Sequence, residues 1–507
     1  MAAVRASRSG LLTTAALLSA CGGDVVAPPP EPPVISSSRA ASDIENVLGG
    51  TLSLSVQHAD SVRVEFHLAD GGAVDSATPA VRMTGDSVVV PVLGLLPGKR
   101  YALRGVAYGA GGQSVGDSVD LVTGDLPVDL PQYSVSGIAP TGFTVLAAGK
   151  YGVVIDGTGR VVWYRYFADG PGLNFMAQRG RYVARPMTPD PLDLDLWLEV
   201  DPLGHLTRTF GCAGNLEPRF HDLIREPDDS YWIMCDEVRT TDLAALGGNA
   251  AAQVTGTVVQ HLSAAGVLLF QWSPFEHFAI TDQPAADRAG SVVNWTHGNA
   301  LALDRDGNLL VSFRSLSEIT KISTVSGNVL WRFGGLANQF TTEGASPPFS
   351  GQHGVRTDGE GGLMLLDNQG TPGRSRAERY QLDEEGHSAQ MIGVYSSDPA
   401  VIGSLGGSVQ ALPGGRVLVS LGNAQRVEEF DASGAVVWKL EGVWDMCSGH
   451  SASGPCITRN RLRRSHTRRN DNFIRSGRRV LGQVLQPVHP SHDVDEDTPG
   501  PAEGEEA

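Results

Sequence analysis

Cysteine is scarce in this sequence, five residues among 507, and no two of them form a C-x-x-C pair. That spacing excludes the usual thiolate zinc site. Helical periodicity is also missing: no window sustains apolar residues at i, i+3, i+4 and i+7, which excludes a stacked helical solenoid. Positive charge is in deficit. The formal net charge of −17 argues against nucleic acid as a partner and requires any anionic ligand to meet a local positive site. What is present points to strands and turns. Apolar residues at 41% supply a core, and 62 glycines and 30 prolines punctuate short apolar runs.

At the N-terminus, Arg5 and Arg8 lead into LLTTAALLSA, residues 11–20, which ends at Cys21. A run of about ten residues is too short to cross a bilayer as a helix and has the layout of a secretory signal. Leu18-Ser19-Ala20-Cys21 resembles the bacterial lipobox. That resemblance implies a signal peptide over 1–20, lipidation of Cys21 and a lipid-anchored, proline-rich linker over 21–33. The chain is then expected outside the cytoplasm, in the periplasm or at the cell surface, held to the outer face of a membrane. Disulfides are permitted there, and proximity alone suggests Cys212–Cys235 and Cys447–Cys456.

Residues 34–127 alternate apolar and polar residues over short segments such as TLSLSVQHA and SVRVEFHLA, separated by glycine and aspartate turns. This predicts a small β-sandwich. The phrase LLPGKRYALRGVAYGAGGQSVGDSVDLVTG resembles the second half of a fibronectin type III domain, which implies a spacer or docking role.

From residue 133 to 445 the chain repeats. The phrase "turn, Gly, apolar pair, often Trp" recurs at Gly159, Gly204, Gly266, Gly327, Gly386 and Gly434, with gaps of 45, 62, 61, 59 and 48 residues. Six copies, each with room for four short strands, predict an all-β fold: a six-bladed β-propeller preceded by the sandwich. One repeat parses in full as HGNALALD, GNLLVSFRS, SEITKIST and GNVLWRFGG. Trp163, Trp272, Trp331 and Trp438 fall on last strands and are expected to pack between blades. After residue 445 the pattern stops. Residues 446–507 hold nine arginines between Thr458 and Arg479, then an acidic segment, and are expected to form a disordered, solvated tail.

Overlaying the repeats aligns three histidines. His221, His297 and His353 each open a first strand, some eight to ten residues before a polar turn; the next repeat holds Ser408 there. First strands of a propeller line its channel, so the three imidazoles are expected to converge. Residues two apart on a strand face the same way, which sets Asn299 beside His297. Gly298 between them is expected to admit a neighbouring backbone or a ligand. Arg314 ends the second strand on the same rim, with Asp236, Asn368 and Asn423 as its counterparts.

Trp295-Thr296-His297-Gly298-Asn299, Ser312-Phe313-Arg314 and Gln352-His353 resemble segments of the bacterial arylsulfate sulfotransferases, six-bladed propellers that work without phosphoadenosine phosphosulfate. The resemblance implies transfer of a sulfuryl group from a phenolic sulfate ester to a phenol acceptor by ping-pong chemistry, with no cofactor. It implies that His353 is the sulfated nucleophile and that His221, His297, Asn299 and Arg314 bind sulfate and move protons. The family's closing segment is not recognisable after residue 445. Two other functions fit the pattern: a surface-tethered binding propeller without catalysis, and a zinc or copper site of three imidazoles, which Arg314 on the same rim would oppose.

Overall fold

Second strands such as Leu309–Phe313 and Gly362–Asp367 are buried along their whole length. A strand sends alternate side chains to opposite faces, so an unbroken apolar run demands cover on both. The computed structural model, which describes residues 28–71, 76–167, 172–187, 196–343, 348–443 and 457–463, supplies that cover with neighbouring sheets. Leu309, Val311 and Phe313 pack back onto Ile224, Met234 and Trp272, while Leu310 packs forward with Val355, Leu363 and Leu365. Among the described residues the helices are all short 3-10 turns, and none is long and apolar enough to cross a membrane. Cys21 and the Cys447–Cys456 pair lie outside the described residues.

Two antiparallel sheets come first and share one core. Val34–Ser42, Gly50–Gln57 and Ser87–Val92 form one; Ser61–Leu68 and Arg100–Gly109 centre the other. Leu52, Leu54, Val90 and Val92 face Val62, Val64, Tyr101 and Leu103 between them. The loop after the first strand docks onto the repeats: Glu45 pairs with Arg165 at 2.7 Å, and Leu48 joins a core with Tyr151 and Tyr164.

Six antiparallel meanders follow. Their first strands are Phe143–Ala148, Gly172–Gln178, Glu217–Arg225, Gly298–Leu303, His353–Thr357 and Ser408–Leu412. Each core is shared by two successive sheets, and the last joins Leu412, Leu418 and Trp438 of the sixth sheet to Leu146, Val153 and Ile155 of the first. The cycle is therefore closed. Its seam is made by Gln132–Gly137 pairing antiparallel with Val436–Val443. The four tryptophans are buried and pack across sheets, Trp163 stacking on Phe175 at 5.6 Å and 4°. A disulfide joins Cys212 to Cys235, with Cα atoms 6.2 Å apart, and ties the second sheet to the third.

Three local departures from expectation have physical causes. Five of the six repeat glycines take a positive φ, but at Gly386 the left-handed position falls on His387, φ 47°. Gly386 N is instead held by Asp383 Oδ1 at 3.0 Å. At Gly298 the close neighbour is a side chain: a Cβ there would lie 2.6 Å from Thr257 Cγ2. Within the expected tail, Ile457–Arg463 forms a strand on the free edge of Phe143–Ala148. Backbone pairing needs no apolar pattern, so its arginine-rich sequence gave no sign of it.

Carboxylates buried in the sheets carry a pH dependence. Burial, reinforced by the charge of Asp367, pushes Glu378 up to about 7 against the pull of Tyr380 and Arg376. Folded Glu378 thus keeps a proton that the unfolded chain releases near 4.5. Its contribution to stability is complete below that pH and is lost as pH rises through about 7. Glu378→Gln is expected to make the fall in unfolding free energy between pH 5 and pH 8 shallower, by up to about 3 kcal/mol. An unchanged slope in thermal unfolding would refute this.

Candidate active site

The third, fourth and fifth sheets bring their inner strands side by side, and the three aligned histidines sit on them, all buried. They do not sit identically. His353 is the first residue of its strand and His297 immediately precedes Gly298–Leu303, but His221 lies in mid-strand, where the ladder slips between Pro218 and Leu223. That irregularity lets consecutive residues His221 and Asp222 both be buried polar groups. His221 is backed by the second sheet: Asn174 Nδ2 donates to the carbonyls of Phe220 and His221.

His221 Nε2 and His297 Nε2 are 3.1 Å apart, with ring centroids separated by 5.0 Å. His297 has φ 46°, an unfavourable backbone for a residue with a Cβ, which persists only where the surroundings enforce it. Here two threonines do so reciprocally. Gly298 N donates to Thr257 Oγ1 and Thr257 N donates to Thr296 Oγ1, both at 2.8 Å. Asn294 Nδ2 lies 2.6 Å from His297 Nδ1. An amide hydrogen donated there makes Nδ1 the acceptor and places the proton of neutral His297 on Nε2, aimed at His221.

His353 is coupled to this pair through Asn299, whose Nδ2 donates to Gln352 O at 2.8 Å. Asn299 Oδ1 is buried with no hydrogen-bond partner among the described residues, an acceptor available to a donor entering the site. Gln352 is itself held by Ser312 Oγ, at 3.0 Å, and by Glu318 O, at 3.1 Å. His353 Nδ1 meets Asn368 Oδ1 at 2.8 Å. Arg314 is tied to the site by its backbone, its N donating to His297 O at 2.9 Å. Its counterparts serve neighbours: Asp236 binds Arg219 at 2.7 Å, Asn368 holds His353 and Asn423 holds Leu405 N.

Sequence reasoning missed the clasp beneath the histidines. Asp222 Oδ2 accepts from Leu301 N at 2.9 Å and from Arg356 Nη2 at 3.2 Å, while Arg356 Nη1 donates to Leu301 O at 3.0 Å. Three histidine-bearing strands are thereby fastened by one buried ion pair. The available signal was an oppositely charged residue on each of two histidine-bearing first strands, Asp222 within EPRFHDLIR and Arg356 within HGVRT. A second missed pair is Arg219, which donates to Gly298 O at 3.0 Å and holds Asp236. Among the described residues, no group of three or more His, Cys, Asp or Glu side chains is placed to hold a metal ion. The three-imidazole metal cage is therefore not formed.

Polar donors and imidazoles are thus gathered on the inner strands of a cyclic all-β body. Residues 218–442, under half of the chain, match the family described as arylsulfotransferase (ASST). The matched stretch contains all five residues His221, His297, Asn299, Arg314 and His353. No curated protein matches the chain. Among solved structures, a protein of unknown function from Bacteroides caccae is 12% identical, covering 64% of this chain and 100% of that one, with a TM-score of 0.40. A catalytically inactive virginiamycin B lyase from Staphylococcus aureus with quinupristin is 10% identical, covering 62% and 89%, with a TM-score of 0.35. An auxiliary nutrient binding protein from Bacteroides ovatus is 10% identical, covering 80% and 85%, with a TM-score of 0.33. Likenesses this distant carry no functional argument.

Proposed function

We propose that the chain is an arylsulfate sulfotransferase: a six-bladed β-propeller, preceded by a β-sandwich, that moves a sulfuryl group between phenols through a sulfated His353. The observation that carries this is the gathering of two contacting imidazoles, an amide and a third imidazole on adjoining inner strands, inside the stretch that matches the arylsulfotransferase family. An imidazole lone pair of His353 forms a bond to sulfur as the sulfur–oxygen bond to the aryl group breaks. The electron pair leaves on the phenolate, which takes a proton from the His221–His297 pair. In the second half-reaction the acceptor phenol gives its proton to that pair and its oxygen attacks sulfur. The nitrogen–sulfur bond breaks and its electrons return to the ring. Charge on the three sulfuryl oxygens is met by the Arg314 guanidinium, an amide N–H of Asn299 and the protonated histidine, which provides the local positive field that a chain of net charge −17 needs.

The test is a chromogenic aryl sulfate such as 4-nitrophenyl sulfate, offered with and without a phenol. Release of the chromophore is expected to depend on the phenol, with parallel double-reciprocal plots as its concentration is varied. Release at the same rate without the phenol would replace transfer by hydrolysis, and no release with any aryl sulfate would remove the proposal.

A further inference from the structure

Asn368 follows the Gly362–Asp367 strand and reaches across to the loop that opens the sixth sheet. Its Nδ2 donates to Gly403 O at 2.6 Å and to Gly406 O at 2.7 Å. An amide nitrogen has two hydrogens, and here both go to carbonyls, which accept and never donate. Turning the amide over would lose both bonds and press its oxygen against two others. The orientation of the side chain is thus determined by its chemistry, and Oδ1 must face His353 Nδ1, 2.8 Å away. A carbonyl oxygen only accepts, so Nδ1 carries the hydrogen, and in a neutral imidazole Nε2 then holds the lone pair. The clamp is rigid: Gly403 N donates to Ser375 Oγ at 2.9 Å, and that hydroxyl donates to Asn368 O at 2.8 Å. Asn368 and His353 are both buried.

We propose that Asn368 is a positioning residue that holds His353 as the Nδ1–H tautomer, making Nε2 the nitrogen that bonds sulfur. Its role in the reaction rests on the sulfotransferase reading; its hold on the ring does not. As Nε2 forms the bond to sulfur and the aryl oxygen leaves with the electron pair of the broken bond, Nδ1 keeps its hydrogen. The positive charge of the sulfated ring spreads onto Nδ1–H, against the negative end of the Asn368 carbonyl. Without the amide oxygen, neutral His353 is free to protonate at Nε2, the form that cannot attack.

The experiment is histidine-selective 15N NMR of the full chain, at a pH where the ring is neutral, with the His353 signals identified by their loss in His353→Gln. The expected spectrum has a protonated Nδ1 and an unprotonated Nε2. In Asn368→Ala the two tautomers are expected to mix, with kcat falling by roughly 10²-fold or more and KM for the donor little changed. A wild-type His353 protonated at Nε2 overturns the proposal, as does an unaltered tautomer in a folded Asn368→Ala protein. Should that variant not fold, the wild-type spectrum alone decides. The predicted tautomer and its response in Asn368→Ala, found in a protein that transfers nothing from any aryl sulfate, would end the sulfotransferase reading and leave the hold of Asn368 on His353 standing.

Discussion

Replacing His353 by alanine is expected to lower phenol-dependent release from an aryl sulfate by on the order of 10⁴-fold or more, because removing a nucleophile leaves only binding and charge stabilisation. Truncation also strands Asn368 Oδ1, the partner of His353 Nδ1 at 2.8 Å, at about 1–3 kcal/mol for a buried acceptor. His353→Gln, which refills the space, separates loss of chemistry from loss of structure. His353→Gln should unfold near the wild-type temperature, and activity should disappear in both variants. Wild-type turnover in either folded variant would assign the nucleophile elsewhere, and His221 or His297 would be next to test. The measurement is initial rate against phenol concentration, with circular dichroism as the check on folding.

The second large effect concerns stability. Asp222→Ala leaves the Arg356 guanidinium buried without its carboxylate, and both side chains are nearly inaccessible, 6% and 0% exposed. Removing one member of a buried pair costs about 3–5 kcal/mol, because the desolvated charge that remains loses its counterion. Leu301 N loses its acceptor at the same time. Replacing both partners, as Asp222→Leu with Arg356→Met, is expected to destabilise less than Asp222→Ala alone. Urea unfolding of the three proteins reads this directly. A loss below about 1 kcal/mol in Asp222→Ala would mean that the clasp does not hold the three strands together.

Much of the architecture was legible because it repeats. Five of the six turn glycines, the polar hairpin at Asp304–Asn308 and the last-strand tryptophans are local features that lie where the sequence pattern sets them. The aligned histidines were legible for the same reason, since register within a repeat is a local property. Contacts between repeats were not. Asp222 and Arg356 are 134 residues apart, and nothing in either strand names the other. The role of Asn368 depends on two glycine carbonyls in a loop of the next sheet. His221 was read as the start of a strand because bulges leave no spacing signal. The added strand at Ile457–Arg463 was hidden for another reason: its pairing uses only the backbone.

The seam has a consequence for how such a body assembles. Gln132–Gly137 is made early in synthesis and Val436–Val443 late, with nearly all the intervening sheets between them. Bringing such distant segments together carries a loop-closure cost that local hairpins do not. The early strand must therefore wait, unpaired, while five meanders mature beside it. Until the late strand arrives, its exposed backbone is a vulnerable template for neighbouring chains.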